Sequence, residues 1–318
     1  MLDEIKKANS IAIMAHKNLD GDAMGALLSM GYFSKNEFGK EPVLVFEGVI
    51  PDNLRWVSNG WWMKKAEDIK DNIFDLIILL DTADVNNQID DEARAIWANA
   101  KRKIKIDHHL NSAEDADINI IRQVAATCEI IANMALDNGW KITKEIASFL
   151  YAGIFLDTGG FTYNYTTPAT LRTVAALMEF GFDHTVIVRK ISEKTKETFS
   201  NNIETLGRAL FTDDNKIGYA AFSVRKTDEV QRPHRETAWL HQQILSIKDI
   251  EATAMFKEVD EGNIQVSIRS KNKPINCFAG EFGGGGHLLA AGFSFNGTLA
   301  QAVAVIVPKL QSFINAGV

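Results

Sequence analysis

Aspartate and histidine recur in this chain at the ends of apolar runs, in groups close enough in sequence to act together. "AHKNLDGDAMGA" carries His16, Asp20 and Asp22; "LLDTAD" carries Asp81 and Asp84; "IDHHLN" carries Asp107, His108 and His109; "LDTGGF" carries Asp157. Imidazole nitrogen and carboxylate oxygen together suit Mn2+ and similar divalent cations, whereas a set without thiolates is a poor structural zinc site. The charges agree. Asp20, Asp22, Asp81 and Asp157 bring four negative charges, which would repel one another strongly unless two divalent cations neutralised them. For any one aspartate a plainer role competes, since Asp before a helix is often only its N-cap; Asp84 is read that way. The joint occurrence of four such groups argues for one shared metal site.

The run Asp107-His108-His109 raises a geometric point. On an extended chain neighbouring side chains point to opposite faces, so the three groups cannot all serve one spot. A second cluster lies far downstream, in "FGGGGHLLAAGF" at residues 282–293. Gly283, Gly284, Gly285 and Gly286 precede a helix-prone stretch, with His287 at its start, and free backbone N–H groups there could cradle an anion. A glycine run alone reads equally as a hinge. Arg269 just upstream, at a strand position able to hold phosphate bidentately, favours phosphate binding; Lys271 and Lys273 read as solvated.

The elements that must position these groups follow a βαβ rhythm. Strands are expected at residues 10–16, 41–48, 74–81 and 103–107, and helices at 22–39 and 91–100. That alternation predicts an open parallel sheet with helices on both faces, and such sheets bind ligands outside the carboxyl ends of their strands. Helices follow at 127–139, 143–157 (capped by Thr143) and 167–181 (Thr cap, Pro first, Gly stop). A charged helical stretch at 188–210 opens the domain connection. Strands at 216–224, 252–259 and 263–270, a helix near 236–247 and a last helix around 301–310 predict a smaller α+β domain. The expected division is 1–187, a helical linker over 188–205, and 206–318.

Composition narrows the class. The chain has 318 residues, 46% hydrophobic and 24% charged, with a net charge of −7. An acidic chain argues against wrapping long duplex nucleic acid, which calls for a basic face. The apolar runs fall short of the roughly 18 residues a membrane helix needs, and the charged opening lacks a signal-peptide core, so the expectation is cytoplasmic with no membrane partner. Cys128 and Cys277 are too few for a disulfide framework and read as buried small hydrophobes. The pair Trp61-Trp62 reads as packing rather than as a base-stacking surface.

These motifs, in this order and over essentially the whole length, resemble the DHH phosphoesterase family, in its form with a C-terminal DHHA1 domain. Within it the chain resembles the short stand-alone oligoribonucleases and pAp phosphatases. The resemblance implies an N-terminal DHH domain and a DHHA1 domain across a cleft, with two Mn2+ ions. His16, Asp20 and Asp81 would hold one ion. Asp22, Asp81, His108 and Asp157 would hold the other, with Asp81 bridging. His109 would lie near the scissile phosphate, Asp107 would orient a histidine from behind, and Arg269, Gly283–Gly286 and His287 would hold the substrate's phosphate or nucleotide end. One departure is visible: Leu19 stands where the family usually has Pro, and as it is no ligand the geometry should survive.

The implied activity is metal-assisted hydrolysis of RNA about two to five nucleotides long to 5′-mononucleotides, with 3′-phosphatase activity on pAp. A phosphodiesterase acting on pGpG, pApA or cyclic-di-AMP is the alternative. Exopolyphosphatase or pyrophosphatase activity and a nucleotide-binding regulator without turnover are further competitors. Short RNA or small nucleotides are the expected partners, and a homodimer is left open.

Overall fold

The computed structural model describes residues 1–47, 50, 54, 56, 63–224 and 236–316; the pair Trp61-Trp62 lies outside them. The chain divides into two compact units, Met1–Glu193 and Lys194–Val318.

In the first unit, strands β1 (Ile11–Ala15), β2 (Val43–Phe46), β3 (Met63–Lys65), β4 (Leu76–Leu80), β5 (Arg102–Asp107) and β6 (Ile118–Ile121) form one six-stranded sheet in the order β3-β2-β1-β4-β5-β6. Every pairing in it is parallel. The strand order reverses between β1 and β4, which is where a doubly wound sheet opens its binding crevice. The sequence "LIILL" of β4 is buried at all positions, as expected for a central strand covered on both sides. Alternate residues separate into two cores. Ile11, Ile13, Leu76, Ile78, Leu80, Ile104 and Ile106 face one layer, and Ala12, Met14, Ile77 and Leu79 face the other.

The first layer is covered by α1 (Leu2–Lys7), α2 (Gly21–Asn36), and, further along the chain, α5 to α8; α3 (Val85–Gln88) and α4 (Asp91–Asn99) cover the second. The later helices are α5 (Thr127–Asp137), α6 (Lys144–Asp157), α7 (Pro168–Met178) and α8 (His184–Ser192). Their starts follow local chemistry. Thr143 accepts from Ile146 N–H, and Thr167 forms a capping box with Thr170 ahead of Pro168. Asp84 caps α3 by accepting from Asn86 N–H at 2.8 Å. Helix α6 closes on α2 and α5 at glycines. A Cβ on Gly25 would lie 2.7 Å from the Phe149 carbonyl oxygen, and one on Gly153 would lie 2.4 Å from Cys128 Sγ. Leu19 is buried in this core.

The second unit opens with α9 (Lys196–Gly207). Its sheet runs β11-β12-β10-β9-β8-β7 and is built from β7 (Leu210–Phe211), β8 (Ile217–Ser223), β9 (Ala252–Asp260), β10 (Asn263–Ser270), β11 (Gly285–His287) and β12 (Ala290–Asn296). Only β8 and β9 pair in parallel, joined through α10 (Thr237–Leu245); the other described pairings are antiparallel. Helices α11 (Ile275–Gly280) and α12 (Leu299–Asn315) complete it.

The charged stretch at 188–210 is two helices, α8 and α9, one in each unit. The expected helix after the glycine run is absent: Gly285–His287 and Ala290–Asn296 form an antiparallel hairpin. Strand pairing of 290–296 with β10 outweighs the helical composition of "HLLAAG". Cys128 is buried, whereas Cys277 is exposed. Lys271 and Lys273 donate to the carbonyls of Ile247, Lys248 and Ala316 at exposed positions, tying loops together at the surface.

Candidate active site

Four chain segments at the carboxyl side of the first sheet bring their ionisable groups together. His16 follows β1. Its Nε2 lies 3.4 Å from Asp81 Oδ2 and 3.9 Å from Asp20 Oδ2. Asp20 caps α2 with its other oxygen, Oδ1, which accepts from the N–H groups of Asp22 and Ala23, each at 3.0 Å. Capping and ligation thus need not compete, since each takes one oxygen.

Asp22, in the first turn of α2, is buried. Its Oδ2 accepts from Thr127 N–H at 2.7 Å and its Oδ1 from Cys128 N–H at 2.8 Å. These are first-turn amides of α5, groups that no helix can satisfy internally, and the positive end of the helix favours a carboxylate there. Thr127 also donates its hydroxyl to Asp81 Oδ1 at 3.2 Å. The small side of Gly153 leaves room for Cys128, and hence for this contact.

Asp81 follows β4 with a φ of 51°. Its Oδ2 faces His16, while its Oδ1 faces His108 Nε2 at 3.5 Å and His109 Nδ1 at 3.7 Å. His108 Nε2 also lies 3.3 Å from Asp157 Oδ2, at the last residue of α6. The Nδ1 of His108 sits 3.3 Å from the Val124 carbonyl oxygen, which can only accept, so Nδ1 carries a proton and Nε2 is the nitrogen turned to the carboxylates. His109 turns the other way, with Nδ1 2.7 Å from Asp107 Oδ1. The carboxylate of Asp107 also accepts from His108 N–H at 2.9 Å.

Among the described residues of the first unit, three sets of ligand atoms each lie within 4.8 Å of one another: His16, Asp20 and Asp81; Asp22, His108 and Asp157; Asp81, Asp107 and His109. Burial and mutual repulsion shape their electrostatics. Burial, reinforced by the charge of Asp81, pushes Asp22 up to about 7. Burial, with Asp22, Asp20 and Asp81 adding to it, holds Asp157 well above the usual carboxylate range. Burial works against protonation of His16, yet the hydrogen bond to Asp81 and the charges of Asp20, Asp81 and Asp22 raise it to about 9. Burial would raise Asp81 too, but His16, His108 and His109 keep it below the usual range. Asp157 Oδ2 is buried and has no hydrogen-bond partner. Converging buried carboxylates, an imidazole nitrogen turned between two of them and a carboxylate oxygen without a hydrogen bond fit a cation, and the all-oxygen-and-imidazole donor set fits a hard or borderline divalent one.

In the second unit Arg269 lies on β10 opposite Thr253 and Ala290, and His287 ends β11. Most of the glycine run is explained by the hairpin. Gly283 has a φ of +73°, and a Cβ on Gly284 or Gly286 would strike the backbone of Gly292 or Ala290. Gly285 is different: a Cβ there meets nothing within 4 Å.

Sequence reasoning found the ligand-type groups but not Thr127, Cys128 or Val124, which hold them. A signal was present. Ala126 stands at the cap of α5 and supplies no side-chain acceptor, so the orphan amides of "ATC" needed an acid from elsewhere.

Comparison with known proteins places this geometry. Residues 10–154 match the family model described as the DHH family, N-terminal domain, and residues 235–316 match the DHHA1 domain. An uncharacterised protein of Mycoplasma genitalium is 31% identical, with 91% of this chain and 88% of that one aligned. The bifunctional oligoribonuclease and PAP phosphatase of Bacillus subtilis is 28% identical, with 92% of each chain aligned. The crystal structure of an exopolyphosphatase-related protein from Bacteroides fragilis superposes with a TM-score of 0.86 at 27% identity, covering 98% of this chain and 94% of that one.

Proposed function

The chain belongs to the DHH family, with a DHHA1 domain following, and from that premise we propose that it hydrolyses short RNA to 5′-mononucleotides and removes the 3′-phosphate of pAp. It is a hydrolase of phosphoester bonds. The observation that carries the reading is the division of Asp81, whose two oxygens face two separate ligand clusters. Similarity over nearly the full length to a bifunctional oligoribonuclease and PAP phosphatase supports the choice of substrates.

His16, Asp20 and Asp81 would hold one divalent cation; Asp22, Asp81, His108 and Asp157 would hold a second, with Mn2+ best suited to the donor set. Such a pair supplies Lewis-acid polarisation of the phosphoryl group and a water acidic enough to lose its proton near neutrality. The protein's own groups do the positioning. Val124 fixes the tautomer of His108, and a hydrogen-bonded outer partner of this kind sharpens a ligand's orientation and basicity. Asp107 would hold His109 through Nδ1 and so orient the ring that acts on the substrate's phosphate. The α5 amides keep the Asp22 carboxylate in place. Arg269 offers a planar fork for a terminal phosphate, and the bare backbone at Gly285, with His287 beside it, lets a nucleotide approach.

A substrate panel with Mn2+ tests the reading: pAp, pGpG, cyclic-di-AMP, RNA from dinucleotide to long oligomer, and pyrophosphate. RNA of two to five nucleotides and pAp should turn over fastest, and Asp81→Ala should abolish all turnover. Preference for pyrophosphate, or activity surviving in Asp81→Ala, would sink it.

A further inference from the structure

Strand β5 carries a fully buried lysine. Lys105 is 0% exposed, beside Leu79 of β4 and on the sheet face opposite Ile104 and Ile106. A lysine so placed must have its donors satisfied. Its Nζ donates to the Ala83 carbonyl oxygen at 3.2 Å, to the Ala113 carbonyl oxygen at 2.9 Å and to Asp115 Oδ1 at 2.8 Å. Three donors meet three acceptors.

What those acceptors belong to is the informative point. Ala83 lies two residues beyond Asp81, in the loop after β4. Ala113 and Asp115 lie in the loop after β5 that begins with His108 and His109. Ala113 N–H also donates to the Ala83 carbonyl oxygen at 2.9 Å, so the two loops are joined at one place. Filling the layer would need only an apolar side chain; an apolar residue of similar size often replaces a buried ion pair without loss of stability. What a methionine could not do is hold two loops in one relative position.

We infer that Lys105 is a positioning residue for the metal centre: its Nζ sets the Asp81 loop against the loop carrying His108 and His109. The inference rests on the two-cluster metal reading above. Asp107 acts on one ring; Lys105 acts on the spacing between two ligand-bearing loops, from the far face of the sheet and without touching a ligand.

Calorimetric titration of Mn2+ into metal-stripped protein tests this, well below the unfolding temperature. Lys105→Met should weaken binding, by no more than the roughly 10- to 100-fold lost when a group bonded directly to a ligand is removed. Ile96→Ala, in the same apolar layer on α4, serves as a control for general destabilisation and should leave the affinity unchanged. Asp115→Ala removes one of the three acceptors from a partly exposed position and decides the matter if Lys105→Met does not fold; it should weaken binding less, in the same direction. Affinities in Lys105→Met and Asp115→Ala that match the Ile96→Ala control overturn the inference. Asp81→Asn separates the two readings. If it binds Mn2+ as tightly as the unaltered protein, the metal centre itself is wrong; if it binds weakly while Lys105→Met and Asp115→Ala do not, only the role of Lys105 falls.

Discussion

Asp81 is unusual in backbone as well as in side chain. A φ of 51° is uncommon outside glycine, though aspartate is among the residues that tolerate it best. It turns the chain sharply at the end of β4, where the strand order reverses. Gly285 is unusual in the opposite sense, because neither its backbone nor its neighbours require glycine. On the proposed reading, the bare backbone there leaves room for the substrate. Gly285→Ala should therefore leave the unfolding temperature unchanged and raise KM for short RNA roughly tenfold, the equivalent of about 1.4 kcal/mol of binding. Kinetics beside thermal melting check this; a drop in stability with unaltered KM would return the glycine to a structural role. At this scale the sequence was legible where chemistry sits in one residue type at a strand end. It was not legible where the partner is a backbone group. Asp22 is held by amides more than a hundred positions away, and amides carry no side-chain signature.

Between elements, α10 packs on its sheet through Leu240 and Ile244 and is tied to it by an imidazole. His241 is buried, with Nδ1 bonded to Thr253 Oγ1 and Nε2 to Ser267 Oγ, so it joins β9 and β10. Burial, with the charge of Arg269 adding to it, keeps its pKa well below the ordinary histidine value. In the unfolded chain a histidine takes up a proton near pH 6.5, while the folded one resists it. The stability it supports is therefore complete above that pH and is lost as pH falls below it, by up to about 1.4 kcal/mol per pH unit. Melting curves between pH 7.5 and 5.5 should show a shallower pH slope in His241→Gln than in the unaltered chain; parallel slopes would contradict it. The hairpin at 285–296 marks the limit of local reading. "HLLAAG" has helical composition, yet "AGFSF" alternates, with Phe293 buried and Ser294 exposed. That alternation was the better guide, because pairing with β10 rewards it. The parallel sheet was easier, since its central strands are apolar on both faces and no helix period competes.

On the scale of the molecule, each unit has cores of its own, and all residues assigned to the metal centre lie in the first. Heating should accordingly show two transitions. Mn2+ at a hundredfold excess over its dissociation constant should stabilise the first unit by about 2.7 kcal/mol and leave unmoved the transition that responds to His241→Gln. Differential scanning calorimetry distinguishes this from a single cooperative melt that shifts as a whole. The division into a parallel unit and a mixed one was legible from the change of pattern along the chain. The break between Glu193 and Lys194 falls within the stretch 188–205 read as the connection, and α8 and α9 on either side of it differ in which core they cover.

The split carboxylate of Asp81 has a thermodynamic corollary. Two cation sites that draw on one anion are not independent stores. Filling one alters the charge and orientation of the group offered to the other, so the two occupancies form a linked equilibrium. On the proposed two-cation reading, whatever factor the first ion imposes on the second is returned in equal measure, so neither affinity is a property of one site alone.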